Sequence, residues 1–247
     1  MAIKASILIS SYEKENELPN VFYSISRQKT NFDFEVCFVD DCSYIDPKPI
    51  YDKYLTVPNK KGVRFKQHVG CRGGGTNPKF GFINSMGYAY KMRDPESKLM
   101  ILQSSDVMWT QDDILQKLVD GSKDKIIPTP HVKNMMTPSN LHEDWDNQIE
   151  TIKKQSESAS EYQGPTREVV AWLVPLPVEV LEAMSYIRNQ GEYHITRCPT
   201  ARGYKHVHRP DMLAIHQAHK SIPMVHVVSD DCLINWGTQH PEKVFYD

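Results

Sequence analysis

The sequence lacks the long apolar runs, paired cysteines and charge excess that mark several common protein classes. No apolar run reaches the roughly 18 residues that a membrane helix needs, and the apolar start is too short and too early for a secretory signal. The five cysteines are an odd number without a C-x-x-C pair, which indicates neither a disulfide framework nor a zinc site. We therefore expect a cytoplasmic protein with reduced thiols.

Length and charge leave the class of partner open. The chain has 247 residues, with 29 Lys and Arg against 31 Asp and Glu, so net charge points to no particular partner. This length suits one ordinary domain, or two tightly joined halves, with a sizeable core.

Short apolar runs alternate with segments of helical periodicity in the first half of the chain. Within the first such segment, Val21, Phe22 and Ile25 fall at helical spacing. This alternation is typical of a mainly parallel sheet covered by helices on both faces. The predicted strands are residues 4–10, 34–39, 63–67 and 99–102, and the predicted helices are 15–28, 77–92 and 112–119, the last capped by its own leading acids.

Polar residues and glycines follow every one of these predicted strands. In such sheets, ligands bind beyond the carboxyl ends of the strands. Glycines let a backbone approach a bulky ligand, basic side chains offset phosphate charge, and an acid holds a divalent cation on a diphosphate. Each segment alone is more often a turn or a connection, but together they predict a nucleotide diphosphate site. The segments are Ser10 to Glu13, Asp40 and Asp41, Gly70 to Gly75 with Arg72 and the later Lys79, and Gln103 to Asp106.

Four segments resemble family 2 glycosyltransferases, which have the GT-A fold. Their order and spacing match the family over about the first 115 residues, and the most specific part is VDDCS after a helix that ends with Ser24 and Gln28. The segments are SILISSYEKENELPNVFYSISRQ, FEVCFVDDCS, HVGCRGGGTNPKFGFINSMGYA and LMILQSSDVMW.

This resemblance implies an α/β GT-A fold, a Rossmann-like and mainly parallel sheet flanked by helices, with a smaller acceptor-side subregion. It implies a single GT-A domain over residues 1–247, with a nucleotide-sugar donor half at 1–125 and an acceptor half at 126–247. Tyr12 would border the nucleobase, and Asp41 would bond the base or ribose. The donor-binding residues expected by resemblance are Ser11, Tyr12, Glu13, Asp41, Arg72, Gly74, Asn77, Lys79 and Ser105.

The chain departs from the family pattern at the expected metal site. Glu13 stands where the family usually has Asn or Asp, and aligning L-D-x-D-D with LQSSD puts Gln103 and Ser105 at two of the acidic positions. One carboxylate still suffices for Mn or Mg on a diphosphate, because phosphate oxygens and waters supply the other ligands. The resemblance therefore implies a divalent cation at Asp106, with His240 as a further ligand.

A second acidic pair provides the expected general base. Glycosyl transfer with inversion needs a group that takes the proton of the acceptor hydroxyl, and a carboxylate is the usual choice. In MVHVVSDDCLINWG, an apolar strand leads into Asp230 and Asp231 and then a short helical pattern, as in the resembling family. We assign Asp231 as the base and Asp230 as the alternative; the competing interpretation is a helix cap.

The rest of the second half is less regular. Residues 169–184 predict a strand and then a helix from near Pro177, and residues 145–164 predict a surface helix with a mobile loop. His216 and His219 have the spacing of one helical face. The basic stretch at 196–210 could meet an anionic acceptor, lie over the donor phosphates or form a solvated loop.

Three functional classes follow. The leading one is an inverting hexosyl- or pentosyltransferase that uses a nucleoside-diphosphate sugar, first a UDP-sugar, and acts on a glycan or lipid-linked sugar, or on a hydroxylated nucleic-acid base. The second is a nucleotidyltransferase, although SSYEKEN lacks the glycines expected after its first strand. The third is a noncatalytic sugar-nucleotide binder with a degenerate DxD motif, which Gln103 and Ser105 suggest.

Overall fold

The described chain alternates strands and helices in its first half and adds a second sheet later. The computed structural model describes residues 3–66, 81–161, 173–185, 198–217 and 242–246. The described strands are β1 (Ala5–Ser11), β2 (Phe34–Asp40), β3 (Lys60–Phe65), β4 (Leu99–Ser104), β5 (Val107–Trp109), β6 (Ile126–Met135), β7 (Ser160–Glu161), β8 (Leu173–Pro177), β9 (Lys205–Gln217) and β10 (Lys243–Tyr246). The described helices are α1 (Leu18–Ser26), α2 (Lys48–Tyr54), α3 (Gly81–Met92), α4 (Ile114–Gly121), α5 (Trp145–Ser156) and α6 (Val178–Ser185), with a 3-10 helix at Leu141–Asp144.

The central sheet has the order β10-β3-β2-β1-β4-β8. Strands β1 to β4 run parallel, and β8 and β10 are antiparallel at the two edges. Every residue of β1 and β2 is buried, because apolar clusters cover both faces of the sheet. Ile7 and Ile9 pack on one face with α1 and α4, and Leu8 packs on the other with α3 and α6. The predicted fold class is confirmed.

A second sheet, of order β5-β9-β6-β7, begins where β4 ends. Its long strands β6 and β9 are parallel, and β5 pairs antiparallel with the end of β9, which sets Val107 opposite His216. The backbone N–H of Gln217 also donates to the carbonyl of Asp106 over 2.8 Å. The last residues of β9 therefore lie beside the carboxyl end of β4.

Most predicted elements of the first half are confirmed; β2 and β4 begin at the predicted residues, and others begin elsewhere. Strand β3 begins three residues earlier than predicted, at Lys60. Helix α1 begins at Leu18, because the carbonyl of Lys14 accepts the N–H groups of Glu17 and Leu18 in a preceding turn, and a proline follows in the first turn of the helix. Strand β8 and helix α6 confirm the strand and helix predicted around Pro177.

Two local predictions are wrong. The leading acids of α4 do not cap it: Asp113 makes no side-chain cap hydrogen bond, and Asp112 instead forms ion pairs with Arg27 and Lys29. His216 lies in strand β9 and not on a helix, so it shares no helical face with His219, which lies outside the described residues.

Helix α5 confirms the helix predicted within 145–164, but one side of it is buried through Trp145, Ile149 and Ile152. The described cysteines Cys37, Cys42 and Cys198 form no disulfide within the described residues. In the part of the chain that the structure describes, no helix has the length and apolar character needed to cross a membrane.

Candidate active site

The carboxyl ends of β2, β1 and β4 lie side by side. The strand register sets Ser11 opposite Asp40 and Ser10 opposite Ser104. The N–H of Asp41 donates to the carbonyl of Ser11 over 2.8 Å. Within the described residues, the buried Ser11 hydroxyl has no hydrogen-bond partner. The structure thus brings the predicted site residues of three strands to one edge of the sheet, where ligands bind in folds of this type.

A tight turn follows β1. Glu13 has φ of +52°, a left-handed conformation that is uncommon for a residue with a side chain. Two hydrogen bonds hold it there: its N–H donates to Ser43 Oγ over 2.9 Å, and its Oε1 accepts the N–H of Tyr44 over 2.6 Å. Tyr12 and Glu13 are both half-buried. The loops after β1 and β2 therefore form one hydrogen-bonded unit.

Asp40 stabilises this unit through hydrogen bonds to Ser43. It is fully buried, and it accepts hydrogen bonds from the hydroxyl and the N–H of Ser43, with Arg64 Nε 3.3 Å away. Burial raises the pKa of Asp40 to about 6, although the Ser43 hydrogen bonds and Arg64 act in the opposite direction. Asp40 therefore fixes the loops, while Asp41, the next residue, lies one position farther beyond the strand end.

The predicted metal carboxylate, Asp106, is paired with a lysine. Lys14 Nζ lies 2.9 Å from Asp106 Oδ2, and their side chains are only 7% and 10% exposed. Ser104 Oγ donates to Asp106 Oδ1, and His216 Nε2 lies 3.7 Å from Oδ2. Lys14 was missed by the sequence reasoning; its position two residues after Tyr12 and before the first helix was the available signal.

Gln103 and Ser105, the replacements for two expected acids, are both buried. The Gln103 amide turns into the core, where its Nε2 donates to the carbonyls of Ser104 and Val107 and its Oε1 accepts the indole N–H of Trp109. Gln103 therefore faces the core, although it belongs to the polar segment that the sequence predicts for the diphosphate site. Its side chain stabilises the turn that presents Asp106.

The last residues of β9 connect the second sheet to the candidate site through hydrogen bonds. His216 Nδ1 lies 3.0 Å from Asn134 Oδ1 on β6. The Gln217 amide accepts from Asn20 on α1 over 2.8 Å and donates to the carbonyl of Glu17 over 3.2 Å. The second half thus contributes the His216 side chain next to Asp106.

Several predicted residues lie outside the described residues. They are Arg72, Gly74, Asn77, Lys79, Asp230, Asp231 and His240. The described end of the basic stretch is the start of β9, where Arg209 forms an ion pair with Asp211 over 2.8 Å. That part is a strand, and most of its residues are exposed.

A mostly parallel sheet flanked by helices, with a hydrogen-bonded polar cluster at its carboxyl edge, is the arrangement expected of a GT-A protein. Residues 6–161 match the family described as Glycosyl transferase family 2. This match covers more than half of the 247 residues, so the chain belongs to that family. The search for relatives among curated proteins found no match.

Solved structures of similar fold include S. aureus TarS and a mannosyltransferase. S. aureus TarS 1–349 superposes with a TM-score of 0.59 at 14% identity, covering 87% of this chain and 60% of that one. The same fragment in complex with UDP gives 0.54 at 15% identity, with 86% and 60% covered. The mannosyltransferase PcManGT from Pyrobaculum calidifontis, in complex with GDP-Man and Mn2+, gives 0.56 at 15%, with 90% and 59% covered. The likeness establishes the fold, and this chain covers about 60% of the length of the TarS fragment and of PcManGT.

Proposed function

We propose that the protein transfers a hexosyl or pentosyl group, with inversion, from a nucleoside-diphosphate sugar to an acceptor hydroxyl. The supporting observation is that Ser11, Asp41 and Asp106 lie at or just beyond the carboxyl ends of three adjacent parallel strands in a chain of this family. The likeness to structures that contain UDP or GDP-mannose supports a nucleotide-sugar donor, and a UDP-sugar is the first to test. Tyr12 and Asp41 would hold the nucleoside, with Arg72 and Lys79 near the diphosphate.

Asp231 is the proposed general base, and Asp230 the alternative. The base takes the proton of the acceptor hydroxyl while that oxygen forms a bond to the anomeric carbon, and the bond from this carbon to the diphosphate breaks. The nucleoside diphosphate leaves with the electron pair. Positive groups near its oxygens would stabilise the developing charge.

The divalent cation fits the described residues poorly. Its proposed ligands are Asp106 and His240, and both carboxylate oxygens of Asp106 already contact Lys14 or Ser104. Within the described ranges, no three His, Cys, Asp or Glu side chains are grouped as a metal would require. No step of the proposed transfer therefore involves a cation.

The proposed acceptor is a glycan or a lipid-linked sugar, with a hydroxylated nucleic-acid base as the second candidate. The division into a donor half at 1–125 and an acceptor half at 126–247 is part of this proposal. The second sheet takes β6, β7 and β9 from the latter range and β5 from the former, and β8 and β10 of the latter range join the central sheet. The cytoplasmic location remains a prediction from the sequence.

The test combines nucleotide binding with turnover. UDP and GDP binding is measured by calorimetry, and hydrolysis of UDP- and GDP-sugars is followed by release of the diphosphate. We expect Asp231→Asn to keep its affinity for the diphosphate and to lose about a thousandfold in turnover, because only the proton acceptor is removed.

Asp211→Asn is the matched control, since Asp211 is an exposed acid paired with Arg209, and it should retain wild-type turnover. Retained turnover in Asp231→Asn would remove Asp231 from the role of base. If neither UDP nor GDP binds the wild type, the proposed function is wrong. Binding of a diphosphate without turnover of any sugar donor would instead favour the noncatalytic binder.

A further inference from the structure

Lys14 is a buried lysine at the carboxyl edge of the sheet. Its backbone is fixed on both sides: Glu13 forms the hydrogen-bonded turn after β1, and the Lys14 carbonyl accepts the N–H groups of Glu17 and Leu18 at the start of α1. Its side chain is 7% exposed and reaches the end of β4, with the ammonium 2.9 Å from Asp106 Oδ2. A lysine is seldom buried to this extent unless its charge is paired.

Lys14 and Asp106 bring one positive and one negative charge to the end of β4. Gln103 and Ser105 are neutral, so Asp106 is the one acid in the LQSSD segment, and Lys14 supplies one positive charge beside it. Hard divalent cations bind sites whose oxygens carry negative charge. An ammonium 2.9 Å from that carboxylate weakens the attraction, and it repels a second cation at the same oxygen.

The other groups around Asp106 reinforce this arrangement. His216 Nε2 lies 3.7 Å from the same Oδ2, and Ser104 Oγ donates to Oδ1. Each of these groups is a donor or a base, and none adds a carboxylate. The surroundings thus suit a cationic side chain that remains in place, rather than an exchangeable metal ion.

We propose that the Lys14 ammonium binds the diphosphate of the donor and neutralises its developing charge, in the role that a divalent cation would otherwise have. The inference rests on the glycosyl transfer proposed above. Asp106 acts as a positioning residue that holds the ammonium at the strand end. An ammonium fixed in a buried site stabilises leaving-group charge without reorganisation at the moment of reaction.

The test measures binding of UDP and GDP, in EDTA and in MnCl2, to the wild type, Lys14→Met and Lys14→Arg. We expect the wild type to bind its diphosphate equally, within about twofold, in both solutions. Lys14→Met should weaken diphosphate binding at least tenfold and weaken UMP or GMP binding less, because the charge lies near the second phosphate. Lys14→Arg should recover part of the affinity, since it keeps the charge.

The matched control is Lys61→Met at the opposite end of the sheet. Lys61 Nζ also pairs with a buried carboxylate, Glu35, over 2.8 Å. Lys61 is 47% exposed, so this variant loses a more solvated ion pair to a buried carboxylate, away from the candidate site. Its UDP and GDP affinities should equal those of the wild type. Circular dichroism checks that each variant is folded. If Lys14→Met does not fold, the double variant Lys14→Met/Asp106→Asn, which removes both charges, is measured in its place.

Three results would contradict either the proposed role of Lys14 or the proposed function. Diphosphate binding that EDTA abolishes and MnCl2 restores overturns the role of Lys14 and leaves the proposed function intact. Unchanged binding by Lys14→Met, or by the double variant, also overturns it and makes the ion pair purely structural. No UDP or GDP binding in either solution overturns the proposed function, and this inference with it.

Discussion

The two ends of the central sheet both bury a carboxylate beside a lysine, but they use it differently. At the amino end, Glu35 accepts hydrogen bonds from Ser6 Oγ over 2.6 Å, from Lys61 Nζ over 2.8 Å and from the N–H of Asp94. These partners belong to β1, to β3 and to the loop after α3. Glu35 therefore ties together neighbouring parts of the fold.

At the carboxyl end, the same chemistry holds loops in place around a candidate site. Asp40 fixes the turn of Glu13 through Ser43, and Asp106 holds the Lys14 ammonium. Burial and ion pairing are thus shared by both ends and do not identify a functional acid. The position of an acid at the carboxyl edge of the sheet is what indicates a functional role. Chain connections diverge beyond the carboxyl ends of parallel strands and leave room for a ligand.

The largest expected effect tests whether Gln103 belongs to the core or to the site. Gln103→Glu removes two N–H donors that face the carbonyls of Ser104 and Val107 and puts a charge in their place. We expect the free energy of unfolding to fall by about 3 to 5 kcal/mol, measured by urea denaturation. The exposed Gln155→Glu on α5 should change it by less than about 0.5 kcal/mol. Equal effects in the two variants would contradict the core assignment.

The second-largest expected effect tests the role of Glu35 at the amino end of the central sheet. Glu35→Leu leaves the Lys61 ammonium and the Ser6 hydroxyl without their buried acceptor, so we expect a loss of about 3 kcal/mol in unfolding free energy. The affinity for UDP or GDP, measured on folded protein, should be unchanged. A drop in affinity would mean that the two ends are coupled. The exposed Glu150→Gln, which removes one member of a surface pair, should cost about 0.5 kcal/mol or less.

The smallest effect concerns pH at Asp40. Its folded pKa is raised from 3.8 to about 6, so the folded state holds this proton more tightly than the unfolded state. The resulting stabilisation is complete below about pH 4 and is lost as the pH rises through about 6, by about 2 to 3 kcal/mol in total. We expect the stability of the wild type, relative to Asp40→Asn, to decline across that window in urea titrations. Parallel curves for the two proteins would contradict the raised pKa.

Sequence reasoning located the first half well because its signals are local. Buried runs such as ILIS and EVCFV are continuous and apolar, as strands covered on both faces must be, and the intervening helix shows clear periodicity. The second sheet was missed because β6 contains Pro128 and Pro130, and the first half of β9 is polar and largely exposed. Such segments become strands only because a long partner strand lies beside them.

The sequence by itself determined the class of fold, the family resemblance and the polar residues after each strand, since these depend on residue type and spacing along the chain. Only the tertiary structure decided which polar groups face the core, as Gln103 does, and which hold one another at the sheet edge, as Lys14 and Asp106 do. The physical reason is that an ion pair between residues 92 positions apart depends on how strands β1 and β4 pair, and spacing along the chain does not record that pairing.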